Sequence, residues 1–183
     1  MTVYEGTYHI MIRGYSSYSG MTLVASYEQE NSSDGENPPI GDCELTNTQH
    51  ALLVALNIAR SQGRNCGSKW YPEAPILTWD CRLASAATRH SIDMAENNFL
   101  SHTGSDGSRV SDRVRDEGYN YRRVGENIAA GYSTVSSVVD GWLGSAGHCA
   151  NIMSLNYQDL GADKISEADS RYRHYWTVVF GAE

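Results

Sequence analysis

Three short segments set titratable side chains beside turn-forming residues: Ser101-His102-Thr103-Gly104, Gly125-Glu126-Asn127, and Ser145-Ala146-Gly147-His148-Cys149-Ala150-Asn151-Ile152-Met153. Two neutral imidazoles and a carboxylate suit Zn²⁺ with one coordination position left open. His102, Glu126 and His148 suit a metal-free His–Glu–His hydrogen-bonded cluster equally well. They are also compatible with structural parts alone, Glu126 tying down a loop and the histidines capping helix ends. Ser145, His148 and Glu126 have the residue types of a Ser-His-acid triad. Triads are recognised by geometry, however, and the chain has no strand-turn-helix Gly-x-Ser-x-Gly elbow. Ser145 reads more simply as a helix C-terminal or turn residue before Gly147. His90 falls on an apolar helical stripe and reads as a core histidine satisfied by hydrogen bonds. Asp106 reads as a turn residue.

These residues need elements to carry them. Thr46-Asn47-Thr48-Gln49 has the form of a capping box and opens a helix bearing Leu52, Leu53, Leu56 and Ala59, which ends near Gly63. Asp80 caps a second helix with Leu83, Ala87, His90 and Met94 on one stripe, ending around Asn97-Asn98. A shorter helix spans about 109–117 and stops at Gly118. Ser133 or Thr134 caps another, which carries Val135, Val138, Val139 and Trp142. Residues 150–153 suggest a short helical turn. Strands follow at 160–165 and 175–181; the second, Tyr175-Trp176-Thr177-Val178-Val179-Phe180-Gly181, is dense in β-formers and reads as central. Helices on both faces of a small sheet make an α+β, three-layer α-β-α sandwich.

Composition narrows the partners. Lys and Arg number 14 against 22 Asp and Glu, a formal charge of −8, and no basic run exists to neutralise phosphates, so nucleic acid is not expected. No stretch is long and apolar enough for a transmembrane helix. Cys43, Cys66, Cys81 and Cys149 form no Cys-x-x-Cys pair, and their even number at wide spacing predicts two structural disulfides in an oxidising compartment. Residues 1–10 lack the basic and apolar regions of a secretory leader. Together with the disulfides, this predicts a natural N-terminus further upstream.

Residues 3–27 differ from the rest: Tyr8, Ile10 and Ile12 alternate with His9, Met11 and Arg13, a Gly/Ser/Tyr link follows, and Leu23-Val24-Ala25-Ser26-Tyr27 forms a second run. This predicts two strands, which need a sheet to join. Residues 28–42 are non-periodic and contain Asn37-Pro38-Pro39, a linker. The expected organisation is a β segment over 1–27, a linker over 28–42 and the main domain over 43–183.

The main domain resembles the CAP superfamily of cysteine-rich secretory and pathogenesis-related proteins, and most closely its short bacterial branch. The resemblance covers about 45–181. It rests on Asn57-Ile58-Ala59-Arg60, Leu77-Thr78-Trp79, Phe99-Leu100-Ser101-His102-Thr103-Gly104, Val124-Gly125-Glu126-Asn127-Ile128-Ala129, the run from Trp142 to Met153, and Tyr175 to Gly181. It implies the CAP fold and a cleft lined by two histidines and two acids. Three of these fall on His102, Glu126 and His148, and the fourth on Ser145. The cysteine placement implies the pairs Cys66–Cys149 and Cys43–Cys81. The N-terminal strands resemble the end of a bacterial pre-peptidase C-terminal domain, a module of secreted proteins.

The resemblance implies a secreted bacterial module that binds rather than catalyses. Its expected ligand is a small molecule, lipid, peptide or cell-wall fragment, with Zn on His102 and His148 as a cofactor the site can hold without requiring it. The alternatives are a metal-dependent or His/Glu hydrolase acting on peptide or cell-wall material, and an extracellular subunit that self-associates through its N-terminal strands.

Overall fold

The computed structural model describes residues 43–183. The strands expected in 3–27, the linker and the self-association they suggested lie outside the described residues.

The first helix, α1 (Asn47–Arg60), opens on the expected capping box: the Gln49 amide donates to Thr46 Oγ1 at 3.3 Å and the Thr46 amide to Gln49 Oε1 at 2.9 Å. A hairpin follows, β1 (Arg64–Cys66) and β2 (Lys69–Tyr71). Its two-residue turn holds Gly67 at φ 64°, a left-handed position that favours glycine. Neither strand is legible in the pattern, because three residues are too few to show a period. After the short β3 (Thr78–Trp79) comes α2 (Cys81–Glu96), where Asp80 accepts from the Arg82 and Leu83 amides as expected.

The helix α3 (Val110–Asp116) lies within a residue of the expected bounds. Next comes β4 (Arg123–Ala130), then α4 (Val135–Leu143) capped by Thr134, α5 (Ala146–Ile152), β5 (Asp159–Ser166) and β6 (His174–Ala182). Two points depart from expectation. The helical turn expected at 150–153 is a helix from Ala146, and Ser145 lies as expected in a turn, directly after the C-cap of α4 and at the N-cap of α5. Strand β4 is not among the expected elements, and Glu126 lies in its middle.

The sheet runs β3-β5-β6-β4, parallel between β3 and β5 and antiparallel elsewhere. β6 is central, as its composition predicts, and its side chains alternate between two cores. Trp176, Val178 and Phe180 join Leu52, Leu56, Val138, Trp142 and Ile152 under α1, α4 and α5. Val179 joins Leu83, Ala86, Ala87 and Val114 under α2 and α3, and Tyr175 packs with Met94. This is the three-layer sandwich expected. The two layers press closely: a Cβ on Gly161 of β5 would lie 2.0 Å from the Ala84 amide nitrogen of α2.

The disulfides join Cys43 to Cys81 and Cys66 to Cys149, with Cα separations of 6.0 and 5.4 Å, the pairs that the resemblance implies. The first ties the entry of α1 to the start of α2. The second ties the β1–β2 hairpin to α5.

Candidate functional site

Each of the three candidate residues comes from a different kind of element. His102 stands on the loop between α2 and α3, Glu126 on the edge strand β4, and His148 on α5. An edge strand leaves backbone groups unpaired, and here helix side chains take them up. Trp142 Nε1 donates to the Ile128 carbonyl at 3.2 Å, and Asn151 Nδ2 to the Glu126 carbonyl at 3.2 Å. Asn151 Nδ2 also donates to Asn127 Oδ1 at 2.9 Å, while Asn127 Nδ2 reaches the His148 carbonyl at 3.1 Å. These two asparagines fasten α5, and with it the His148 backbone, to β4.

The Glu126 side chain is only 2% exposed and both its oxygens are engaged. Oε2 accepts from Arg113 Nη2 at 2.6 Å, and Oε1 lies 2.7 Å from His102 Nδ1. Arg113, on α3, is 1% exposed and also donates to the carbonyls of Ser108 at 2.9 Å and His102 at 3.3 Å. A carboxylate already holding an arginine accepts at its second oxygen, so His102 carries its proton on Nδ1. Its Nε2 lone pair then lies on a side chain that is 57% exposed. Burial pushes the His148 imidazole below its ordinary range, and His102 is near enough for its charge to lower it further. His148 is therefore held toward the neutral, ligating form.

Among the described residues no three His, Cys, Asp or Glu side chains converge to hold a metal ion. At this site both Glu126 oxygens already have protein partners, Arg113 and His102. What fits a metal is narrower than the full trio: two imidazoles, with Glu126 orienting one of them from behind, the arrangement in which a metal-binding histidine donates its other N–H to a carboxylate. Ser145, at the N-cap of α5, makes no capping bond, and among the described residues no hydrogen bond joins it to His148. His90 is fully buried as expected, with Nε2 2.8 Å from the Ser101 carbonyl. Asp106 turns its own loop, accepting from the Ser108 amide at 2.8 Å.

Sequence reasoning missed Arg113, because an arginine on a short amphipathic helix looks like a solvated face. It also assigned no part to Asn127 and Asn151, although both lie inside the segments singled out. Polar residues that alternate into a buried strand were the available signal.

A three-layer sandwich braced by two disulfides, with a buried carboxylate on its edge strand holding a loop histidine at 2.7 Å, is the architecture of a CAP-type domain. The model of the cysteine-rich secretory protein family matches residues 57–180, and the chain belongs to that family. It is 38% identical over 85 residues to the uncharacterized membrane protein YlbC of Bacillus subtilis, covering 46% of this chain and 25% of that one. It is 31% identical over 104 residues to the uncharacterized protein YkwD of the same organism, covering 57% and 38%. The chain thus spans well under half the length of these relatives. Among solved structures it resembles an extracellular protein containing an SCP domain from Bacillus anthracis, with a TM-score of 0.61 and 28% identity over 78% of this chain and 45% of that one. An outer surface protein of Borrelia burgdorferi shares the fold, with a TM-score of 0.54 at 23% identity over 60% and 80%. No helix among the described residues is long and apolar enough to cross a membrane.

Proposed function

We propose that this chain is an extracellular binding module of the bacterial CAP type, whose cleft takes a divalent transition-metal ion on His102 and His148. The observation that carries the reading is the 2.7 Å contact between His102 Nδ1 and a Glu126 already held by Arg113. It leaves Nε2 of His102 on a ring that is 57% exposed, and burial lowers the pKa of His148, with His102 near enough to lower it further. The two disulfides and the extracellular and outer-surface neighbours support the location. A bound ion would offer its open positions to an oxygen of a small molecule, peptide or cell-wall fragment. Among the described residues no hydrogen bond joins Ser145, His148 and Glu126, so a Ser-His-acid relay finds no support here.

The test is a zinc titration by calorimetry between pH 5.5 and 8. Saturable binding should weaken as pH falls below about 6.5, because the ligands must be neutral. His102→Ala and His148→Ala should each abolish it, and Glu126→Gln should weaken it by about 10- to 100-fold. Affinity independent of pH, or binding that survives loss of both histidines, overturns the reading.

A further inference from the structure

We propose that His90, buried in α2, is a positioning residue for this cleft: its Nε2–H holds the Ser101 carbonyl and so fixes the backbone on which His102 is presented. The inference rests on the binding reading above.

The helix α2 offers one face to the loop. His90, Asp93, Met94 and Asn97 stand at i, i+3, i+4 and i+7. Along that face the Met94 carbonyl accepts from the Phe99 amide at 3.2 Å, and His90 Nε2 meets the Ser101 carbonyl at 2.8 Å. Asp93 takes both the amide and the hydroxyl of Ser105. From the other side Arg113 holds the His102 and Ser108 carbonyls. The carbonyls of Ser101 and His102 are thus pinned from two different helices. Between the pins the turn is tight: a Cβ on Gly104 would lie within 3.0 Å of Asp93, Asp106 and Ser108 side chains.

The His90 bond has a defined sense. A carbonyl oxygen only accepts, so the proton of His90 sits on Nε2. Among the described residues its Nδ1 is buried with no hydrogen-bond partner, and the ring lies edge-on to Phe99 at 6.4 Å. A core position that needed only volume has no use for a ring N–H, and here that N–H meets the Ser101 carbonyl at 2.8 Å. The donor toward Ser101 is what the position uses. A loop fixed in this way binds without first being ordered, which raises affinity with no added contact.

Long-range ¹⁵N–¹H spectra of the full chain report the tautomer of each histidine. His90 should be the neutral Nε2–H form and His102 the Nδ1–H form. His90→Leu keeps the bulk and removes the donor. It should release His102 into a tautomer mixture and weaken zinc binding about tenfold, as loss of a supporting hydrogen bond behind a ligand does. His90→Gln, which restores an N–H, should recover wild-type affinity to within about threefold. His90→Leu binding zinc as the wild type does, with His102 still in the Nδ1–H form, overturns the proposal. So does a wild-type His90 in the Nδ1–H form, a measurement that stands even if His90→Leu does not fold. If the wild type binds no zinc, the metal reading fails, and the His102 tautomer in His90→Leu still decides the positioning role.

Discussion

Arg113 Nη2 lies 2.6 Å from Glu126 Oε2, and both side chains are withdrawn from solvent. The second oxygen of that carboxylate holds His102. One ion pair therefore joins α3 to the edge strand and sets the ring that the cleft presents.

Removing one partner of a buried pair leaves the other charge unsatisfied. Arg113→Met should cost about 3–5 kcal/mol in urea denaturation at pH 7. The double variant Arg113→Met/Glu126→Leu should lose less than Arg113→Met alone, because it strands no charge. A single-variant loss below about 1 kcal/mol would show the pair to be solvent-screened after all.

The Cys66–Cys149 bond closes a sequence separation of 83, against 38 for Cys43–Cys81. On chain-entropy grounds, Cys66→Ala/Cys149→Ala should lose about 4 kcal/mol, and Cys43→Ala/Cys81→Ala somewhat less. Non-reducing peptide maps should show these two linked pairs; a Cys43–Cys66 peptide would contradict them.

Gly161 marks where β5 touches α2. An added methyl would meet the Leu83 carbonyl carbon at 2.2 Å and the Ala84 nitrogen at 2.0 Å, both backbone atoms that no rotamer change can move. Gly161→Ala should therefore destabilise by about 3 kcal/mol, at the upper end of overpacking effects. Thermal unfolding with an unchanged midpoint would refute so close an approach.

Burial lowers the His90 imidazole pKa, opposed by the Glu126 and Asp93 charges and aided by Arg113. Burial lowers His148 as well. A histidine lowered in the fold binds its proton more readily when unfolded. Stability is thus fully present above the unfolded pKa of about 6.5 and is lost as pH falls from there through the folded values, by up to about 1.4 kcal/mol per pH unit for each histidine. Denaturation midpoints should be flat between pH 7 and 8 and fall from 6.5 toward 5, less steeply in His90→Gln. A midpoint that rises over that acidic range would contradict the assignment.

Much of this molecule is local and was legible as such. Thr46 and Asp80 cap helices because their side-chain oxygens satisfy amides two or three residues on, which spacing reveals, and for α4 spacing narrows the cap to Ser133 or Thr134, of which Thr134 takes the part. The run from Tyr175 to Gly181 reads as a central strand because every residue in it suits a surface buried on both sides. The ordered motifs around His102, Glu126 and His148 identified the family, and with it the cysteine pairs. Other features are set by contacts across the fold. Glu126 stands beside the turn-former Gly125, no strand was legible there, and only pairing with β6 makes it part of one. Arg113, Asn127 and Asn151 carry no local signature, since an ion pair or an edge-strand clamp is defined by partners 13 to 25 residues away. Which partners take the two oxygens of Glu126 is likewise set in three dimensions, because Arg113 and His102 lie 13 and 24 residues away and reach it only through the fold.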